Sequence, residues 1–373
     1  MANIFDYIKW RGDLSVEQCD FNEIDGLIMS AFSYLPFHVL DGALDGKCLG
    51  EIADSLLEVE NIEKEVIYKG DITLLESFSD APRFNQMKFY QHDDIYDSDS
   101  QTQFSAITVK LKENLYGVFF RGTDTTLVGW KEDFNMTFVC PVPSQKMATK
   151  YMEKVSSTFN GEFIVCGHSK GGNLAIYSSV FSSADVRDRI IRVCNYDGPG
   201  FDVDILGSYA YMDIAERIDT YIPQSSVVGF LLGHEEEYRI VHSSQSIGIL
   251  QHELYTWELM GSQFIYVDDV TSSSQFVDST LKDWLKGISY EQRELFVDTV
   301  YTILSQTNAK TVKQMGSSWF SSARAILKTI KNLDDDTRIA VQETLSSLAK
   351  CAKSNMFMIN PMQQILKKKK SDE

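Results

Sequence analysis

The run Phe163-Ile164-Val165-Cys166-Gly167-His168-Ser169-Lys170-Gly171-Gly172-Asn173-Leu174-Ala175-Ile176-Tyr177 limits most sharply what this chain can fold into. Its leading apolar residues read as the end of a buried strand. Gly-His-Ser-Lys-Gly reads as a sharp turn, and Asn173 onward as a helix with an apolar face at Leu174, Tyr177 and Phe181. Strand, turn and helix are the setting in which Gly-x-Ser-x-Gly has mechanical meaning. The glycines let the backbone fold tightly and leave room beside the serine, so Ser169 Oγ stands clear of the sheet edge. The same turn brings the Lys170 amide and the start of a helix to one point, where partial positive charge favours an oxyanion. Gly-x-Ser-x-Gly also arises by chance. The strand before it, the helix after it and the extra Gly172 favour a nucleophile over coincidence.

Around that stretch the pattern changes three times. Residues 1 to about 95 show helical spacing: Asn22-Glu23-Ile24-Asp25 leads into an apolar run from Leu27 to Leu40, broken at Pro36, and Ser55 to Val66 repeats the pattern. Gln91 to Gln103 is polar and acidic and reads as an exposed loop; His92 beside two aspartates there is a surface residue before it is a metal ligand. At Phe104 the spacing turns to alternation. Ile107, Val109 and Leu111, a turn at Asn114, and Tyr116 to Phe120 give two antiparallel strands. A helix follows over Thr125 to Met136 and another over Ala148 to Phe159. Further strands fall at Ile190 to Tyr196, Arg217 to Ile222, Tyr238 to Val241 and Gln263 to Val267. Strands alternating with helices predict an α/β fold with a mainly parallel sheet and helices on both faces. From Ser274 the spacing is helical again, through Leu295 to Ile303, Trp319 to Ile330 and Ile339 to Leu348. The expected divisions are a helical N-terminal region over 1–100, a core over 101–272, a helical C-terminal region over 273–360 and a basic tail over 361–373, with Lys367 to Lys370 solvated.

The bulk numbers narrow the partners. A chain of 373 residues makes one large domain or two smaller ones. With Lys+Arg 35 and Asp+Glu 53 the net charge is −18, which argues against nucleic acid because phosphate repulsion would have to be overcome. No run approaches the ~20 apolar residues of a membrane helix, and the opening residues lack the basic and apolar blocks of a secretory signal. The six cysteines form no C-x-x-C pair; Cys166 and Cys194 fall in apolar strands and read as reduced core residues. A cytoplasmic protein without metal or organic cofactor is the expectation.

A serine is a poor nucleophile without a base, normally a histidine held by a carboxylate, and in sheet hydrolases the chain order is Ser, acid, His. His234, His242 and His252 follow Ser169. His234 precedes Glu235-Glu236-Glu237 in what reads as a solvated turn. His242 ends a strand as a packed edge residue. His252, in a loop late in the sheet region, is the first choice of base and His242 the second; all three also fit structural roles. For the acid, Asp197 ends the strand after the nucleophile strand, although aspartate before Gly-Pro-Gly is equally a turn former. Asp202, Asp213 and Asp219 are the other carboxylates in the interval. Thr123, after a strand and before a helix, is the candidate second oxyanion donor beside Lys170. Leu127, Val128, Trp130 and Phe134 suit an acyl pocket, a lid or plain core.

Phe120-Arg121-Gly122-Thr123 with Trp130 and Asp133, together with Gly167 to Ala175, resemble the class 3 lipases over roughly residues 100 to 270. Trp10-Arg11-Gly12-Asp13-Leu14, Phe21-Asn22-Glu23, Asp197-Gly198-Pro199-Gly200 and Gln251-His252 resemble, from the N-terminus on, a bacterial family of uncharacterised lipase-like proteins. The resemblance implies an α/β-hydrolase fold, Ser169 as nucleophile, His252 as base, and the Thr123 and Lys170 amides as oxyanion donors. Class 3 lipases place the acid after a strand in an Asp-x-Val-Pro-like stretch. Here that place reads Pro223-Gln224-Ser225-Ser226-Val227-Val228, so either Asp197 takes over or the histidine is oriented without a carboxylate. Lys170 stands where lipases often carry an apolar residue. The leading expectation is a serine hydrolase acting on a lipid or small acyl ester. Its rival is an inactive hydrolase-fold protein that binds a ligand or protein partner. Nucleotide or phosphate binding through Gly167 to Gly172 is a weak third reading, because the chain lacks the Gly-Lys-Ser/Thr that a P-loop needs after a four-residue gap.

Overall fold

The computed structural model describes residues 1–97, 99, 102–124, 127–136, 139–246, 248–305, 338–339 and 341–355. The expected helix over Trp319 to Ile330 and the basic tail lie outside the described residues. The chain divides into two compact units, one of Met1–Asp124 and Pro141–Asp269, the other of Thr125–Cys140 and Val270–Glu373.

In the first unit, helices α1 (Ile4–Arg11), α2 (Glu23–Phe32), α3 (Leu49–Leu57), α4 (Gly70–Ser79) and α5 (Pro82–Asn85) precede the sheet. Asn22 starts α2 by accepting the amides of Ile24 and Asp25, while Asp25 returns a bond to the Asn22 amide, a reciprocal cap. The sheet has seven strands in chain order: β1 (Lys88–Asp97), β2 (Thr102–Lys112), β3 (Leu115–Phe120), β4 (Glu162–His168), β5 (Ile190–Tyr196), β6 (Ile218–Pro223) and β7 (Tyr238–Val241). β1 to β3 pair antiparallel, and β3 to β7 are parallel. Parallel neighbours need crossovers. Those within this unit include α7 (Pro143–Thr158) before β4, α8 (Lys170–Phe181) and α9 (Ala184–Arg187) after it, and α10 (Val203–Leu206) and α11 (Tyr209–Ile214) after β5. Past β7 come α12 (Gly248–Gln251) and a small hairpin of β8 (Leu259–Met260) and β9 (Gln263–Phe264).

Side chains alternate across a strand, and here they sort into two cores. Phe163, Val165, Val193 and Phe120 face a cluster with Leu174, Ile176 and Met152 of α8 and α7. Ile164, Cys166, Cys194 and Phe119 face the opposite cluster, with Ile24, Leu27, Ile28 and Phe32 of α2. Both faces are covered, so the architecture is α/β-hydrolase-like: a mostly parallel sheet between helical layers. Each Val, Leu, Ile, Phe or Met among them contributes about 1.5–3 kcal/mol when fully buried.

Three local expectations change. Gln91 to Gln103 is mostly strand, because β1 pairs with β2 from Lys88↔Lys110 to Asp97↔Thr102. Its polar residues are those of an edge strand, where charge discourages pairing with other chains, and His92 sets its ring edge-on to Phe37 at 5.2 Å. The helix expected over Ser55 to Val66 begins earlier, at Leu49, and ends at Leu57. The helix expected from Ala148 begins at Pro143, a residue suited to the first turn.

The second unit contains α6 (Leu127–Asn135), α13 (Ser272–Gly287), α14 (Tyr290–Ser305) and helical residues 341–355. Within it Lys131 Nζ pairs with Asp298 at 2.7 Å, and Trp284 Nε1 donates to the Thr344 carbonyl at 3.1 Å.

Candidate active site

Ser169 occupies the bend between β4 and α8 with φ 60 and ψ −134. A non-glycine residue held there carries local strain on the order of 1–3 kcal/mol, which persists only where the surroundings impose it. Two constraints do so. The Ser169 amide donates to the Tyr196 carbonyl on β5 at 2.9 Å, and its own carbonyl accepts from Gly172 at 2.9 Å. Gly167 permits the bend: a Cβ there would stand 2.0 Å from the Gly171 carbonyl oxygen. Ser169 is buried, with 9% of its surface exposed. The chain leaving β3 passes beside it, for a Cβ on Gly122 would lie 3.0 Å from Ser169 Cβ. Thr123 comes one residue later and is half-buried. Lys170 opens α8, at the positive end of that helix. Its side chain is buried, with Nζ donating to the Gln103 carbonyl of β2 at 2.8 Å.

His252 and Asp197 meet across the sheet edge. His252 Nδ1 donates to Asp197 Oδ2 at 2.6 Å, which leaves Nε2 as the basic nitrogen of that tautomer. Asp197 follows β5 with φ 54 and is completely buried. Its other oxygen, Oδ1, accepts the Ser226 hydroxyl at 2.5 Å and the Gly229 amide at 3.1 Å. Ser226, at the place where the resemblance puts an acid, thus donates to the carboxylate one strand over. The His252 ring packs on that of His168 with centroids 4.6 Å apart, which brings it to the residue before Ser169. Burial, reinforced by the neighbouring His252, pushes His168 well below the usual imidazole range. His168 is accordingly neutral: its Nε2–H donates to the His252 carbonyl at 2.8 Å, and its Nδ1 accepts from Tyr34 Oη at 3.0 Å.

The loop that carries His252 is held from several sides. Gln251 Oε1 accepts the Ser225 amide at 2.8 Å, Gln251 Nε2 donates to the Gln245 carbonyl at 2.6 Å, and Trp257 Nε1 donates to the Gln251 carbonyl at 2.8 Å. Tyr255 Oη donates to Asp71 Oδ1 at 2.6 Å, and Asp71 Oδ2 accepts the Tyr68 amide at 2.9 Å. Burial pushes the Asp71 carboxyl up to about 6 against these donors. Between about pH 4 and 6 the folded chain keeps a proton here that the unfolded chain has released. The site's contribution to stability therefore falls by roughly 3 kcal/mol as pH rises through that window. Asp71→Asn, whose amide can serve the same two neighbours, is expected to raise the urea midpoint at pH 7.5 and leave it near wild type at pH 4. A lower midpoint at pH 7.5 would contradict this account.

The remaining candidates have other partners. His242 Nδ1 pairs with Glu258 at 2.6 Å. His234, read from sequence as part of a solvated turn, is buried with Glu236, its Nδ1 at 2.9 Å from Oε1; Glu235 and Glu237 point outward while Glu236 turns in. Asp202 caps α10, Asp213 pairs with Arg187, and Asp219 with Arg192. Leu127, Val128, Trp130 and Phe134 belong to α6 of the second unit. Sequence reasoning read His168 only as part of the turn, gave Tyr34 and Gly229 no role, and took Ser226 only as a missing acid. Its one visible signal was two adjacent serines at the end of an apolar strand. Among the described residues no group of three or more His, Cys, Asp or Glu side chains is placed to hold a metal ion. No described helix is long and apolar enough to cross a membrane.

Fold and site together define an α/β-hydrolase-type protein with a serine at the strand–helix bend and a histidine–aspartate pair whose imidazole packs on the residue before that serine. Residues 78–302 match the Mbeg1-like family model, and the chain belongs to the Mbeg1-like family. No curated protein matches it. Among solved structures it is similar to the M37 lipase, at 12% identity and TM-score 0.38 over 65% of this chain and 84% of that one. Rhizomucor miehei lipase in its propeptide complex is similar at 12% identity and TM-score 0.37, over 68% and 74%. Lipase II from Rhizopus niveus is similar at 12% identity and TM-score 0.35, over 70% and 86%.

Proposed function

We propose that the chain is a serine hydrolase that cleaves an acyl ester. The observation that carries this is the 2.6 Å bond from His252 to the buried Asp197, with Ser169, Asp197 and His252 in the chain order such hydrolases use. Ser169 Oγ attacks the ester carbonyl while His252 Nε2 takes its proton. Asp197 holds the ring in the tautomer that can do so and stabilises the imidazolium that results. The carbonyl oxygen becomes an oxyanion beside the Thr123 and Lys170 amides, where each donor is worth on the order of 10²–10³ in rate. His252 returns the proton to the departing alkoxide, leaving an acyl-enzyme. Water, activated by the same histidine, releases the acid and restores Ser169. The ester class follows from the likeness of Phe120 to Thr123 and Gly167 to Ala175 to class 3 lipases. The ligand-binding alternative drew on Ser225 and Ser226 standing where an acid was expected; the bond from Ser226 to Asp197 supports the hydrolase reading over it.

The test is covalent. A fluorophosphonate probe is expected to add one label to the folded protein, located on Ser169 by peptide mass mapping, and none to Ser169→Ala. Folded wild-type protein that takes no label would end this reading.

A further inference from the structure

Asp197 is completely buried, and its carboxylate needs donors on both oxygens. His252 serves one. The other is served by the loop 224–237 through Ser226 Oγ–H and the Gly229 amide. That loop has its own anchor. His234 Nε2–H donates to the Gly229 carbonyl at 2.8 Å, so one peptide unit away from the amide that reaches Asp197 the chain is gripped by a ring nitrogen. His234 Nδ1 faces Glu236 Oε1 at 2.9 Å. Glu236 already accepts the Thr220 hydroxyl at 2.5 Å on that oxygen and the Tyr211 hydroxyl on the other. A carbonyl and a carboxylate only accept, so both ring nitrogens of His234 face acceptors and the ring ties the Gly229 carbonyl to Glu236. Burial opposes charge on Glu236, yet the bond from His234, its charge, and the Thr220 and Tyr211 hydroxyls hold that carboxyl below the usual range. Burial and then Glu236 raise Tyr211, keeping it a donor. The segment after Asp197 is tied to the same loop: the Gly200 amide reaches the Leu231 carbonyl at 2.9 Å, and Phe201 and Gly233 exchange bonds at 2.8 and 3.0 Å.

We propose that His234 and Glu236 are positioning residues for the acid: a second, buried histidine–carboxylate pair that fixes the loop so that Ser226 and Gly229 both donate to Asp197. This rests on the reading of Asp197 and His252 as acid and base. With its second oxygen satisfied, Asp197 is a weaker partner for a proton on His252, and the histidine stays available as a base to lower pH. Removing the donors makes the carboxylate a stronger acceptor and holds a proton on His252 longer.

The variants are His234→Phe, which keeps a ring and removes both ring nitrogens, and Ser226→Ala, which removes one donor to Asp197. Glu236→Gln takes the place of His234→Phe where that variant does not fold. His242→Gln, which breaks a histidine–carboxylate pair elsewhere, is the control. Two readouts are taken: the pH profile of fluorophosphonate labelling at Ser169, and the titration of the His252 ring protons by NMR. The expected result is a labelling limb and ring titration about one pH unit higher in the loop variants. Labelling at pH 7 then falls up to about ten-fold, with the control at wild type. A ring titration unmoved in folded His234→Phe (or Glu236→Gln) overturns the proposal, and so does an equal displacement in His242→Gln. Failure of wild type to label, with the ring titration still displaced in the loop variants, overturns the hydrolase reading alone, because the NMR readout needs no reactive serine.

Discussion

Asp197→Asn is expected to slow fluorophosphonate labelling of Ser169 by roughly 10³–10⁴-fold while leaving the fold intact. The direction of the amide decides it. The position of Asp197 Oδ1 faces the Ser226 hydroxyl and the Gly229 amide, and the latter can only donate. The asparagine carbonyl is therefore drawn to that side, and its NH₂ is turned toward His252 Nδ1. That nitrogen must then accept, which moves the ring's hydrogen to Nε2, and a ring with hydrogen there cannot take the proton of Ser169. A companion pair asks whether the acid can return to the strand end where class 3 lipases keep it. Asp197→Gly suits the local φ of 54 and empties the site. Adding Ser226→Asp puts a carboxylate where a hydroxyl now lies 2.5 Å from the departed oxygen. The double variant is expected to label about ten-fold faster than Asp197→Gly alone, a coupling typical of side chains in contact. Ser226→Asp by itself sets two carboxylates together and is expected to lose activity. Wild-type labelling in Asp197→Asn would remove Asp197 from the reaction, whatever the other variants do.

What the sequence made legible is local, and what it hid is long-range. The bend at Ser169 was readable because strand, turn and helix signals lie within fifteen residues of one another. β2, β3 and β5 to β7 were readable because apolar alternation or an apolar run marks each of them. β1 was not: His92-Asp93-Asp94 carries the charges of an edge strand, and charge in sequence looks the same in a strand as in a loop. The pairing of Asp197 with His252 joins positions 55 apart, and chain order alone made Asp197 only one candidate among four. Glu235-Glu236-Glu237 reads as uniformly exposed, yet the middle residue points inward. Its burial follows from partners on β6 and α11 that no local pattern announces. The N-terminal motif Trp10 to Leu14 carried a resemblance but no mechanism, and its physical meaning lies in a residue far downstream.

That residue is Arg83, and Arg83→Met is expected to cost about 3–5 kcal/mol of stability, a large share of what a domain of this kind possesses. Arg83 and Asp25 are both fully buried side chains in direct contact, with Nε 2.6 Å from Oδ1 and Nη2 against Oδ2. The rest of the guanidinium is spent on the chain between α1 and α2. Nη1 donates to the carbonyls of Leu14 and Cys19 at 2.9 Å each, and Nη2 to that of Asp20 at 2.9 Å. Asp25 also accepts from Tyr7 Oη at 3.1 Å and from the Asn22 amide at 2.8 Å, so the cap of α2 depends on the same carboxylate. Methionine fills much of the volume and supplies none of the donors. It leaves one buried carboxylate without its cation and three carbonyls without an N–H. Asp25→Asn on the Arg83→Met background removes the unpaired charge and is expected to recover part of the loss. The carbonyls of Leu14, Cys19 and Asp20 stay unserved, so recovery falls short of wild type. The measurement is the urea midpoint by tryptophan fluorescence, read as a double-mutant cycle. Lysine is no substitute, since one ammonium cannot span Asp25 and three separate carbonyls in the geometry the planar fork provides. α2 packs against β3, β4 and β5, the strands that end at Phe120, His168 and Tyr196. Loosening Arg83 therefore disturbs the helical layer beneath the Ser169 bend, and labelling of Ser169 is expected to fall at urea concentrations below the global midpoint. An Arg83→Met protein with an unchanged midpoint would show that the N-terminal layer is held by its apolar packing alone.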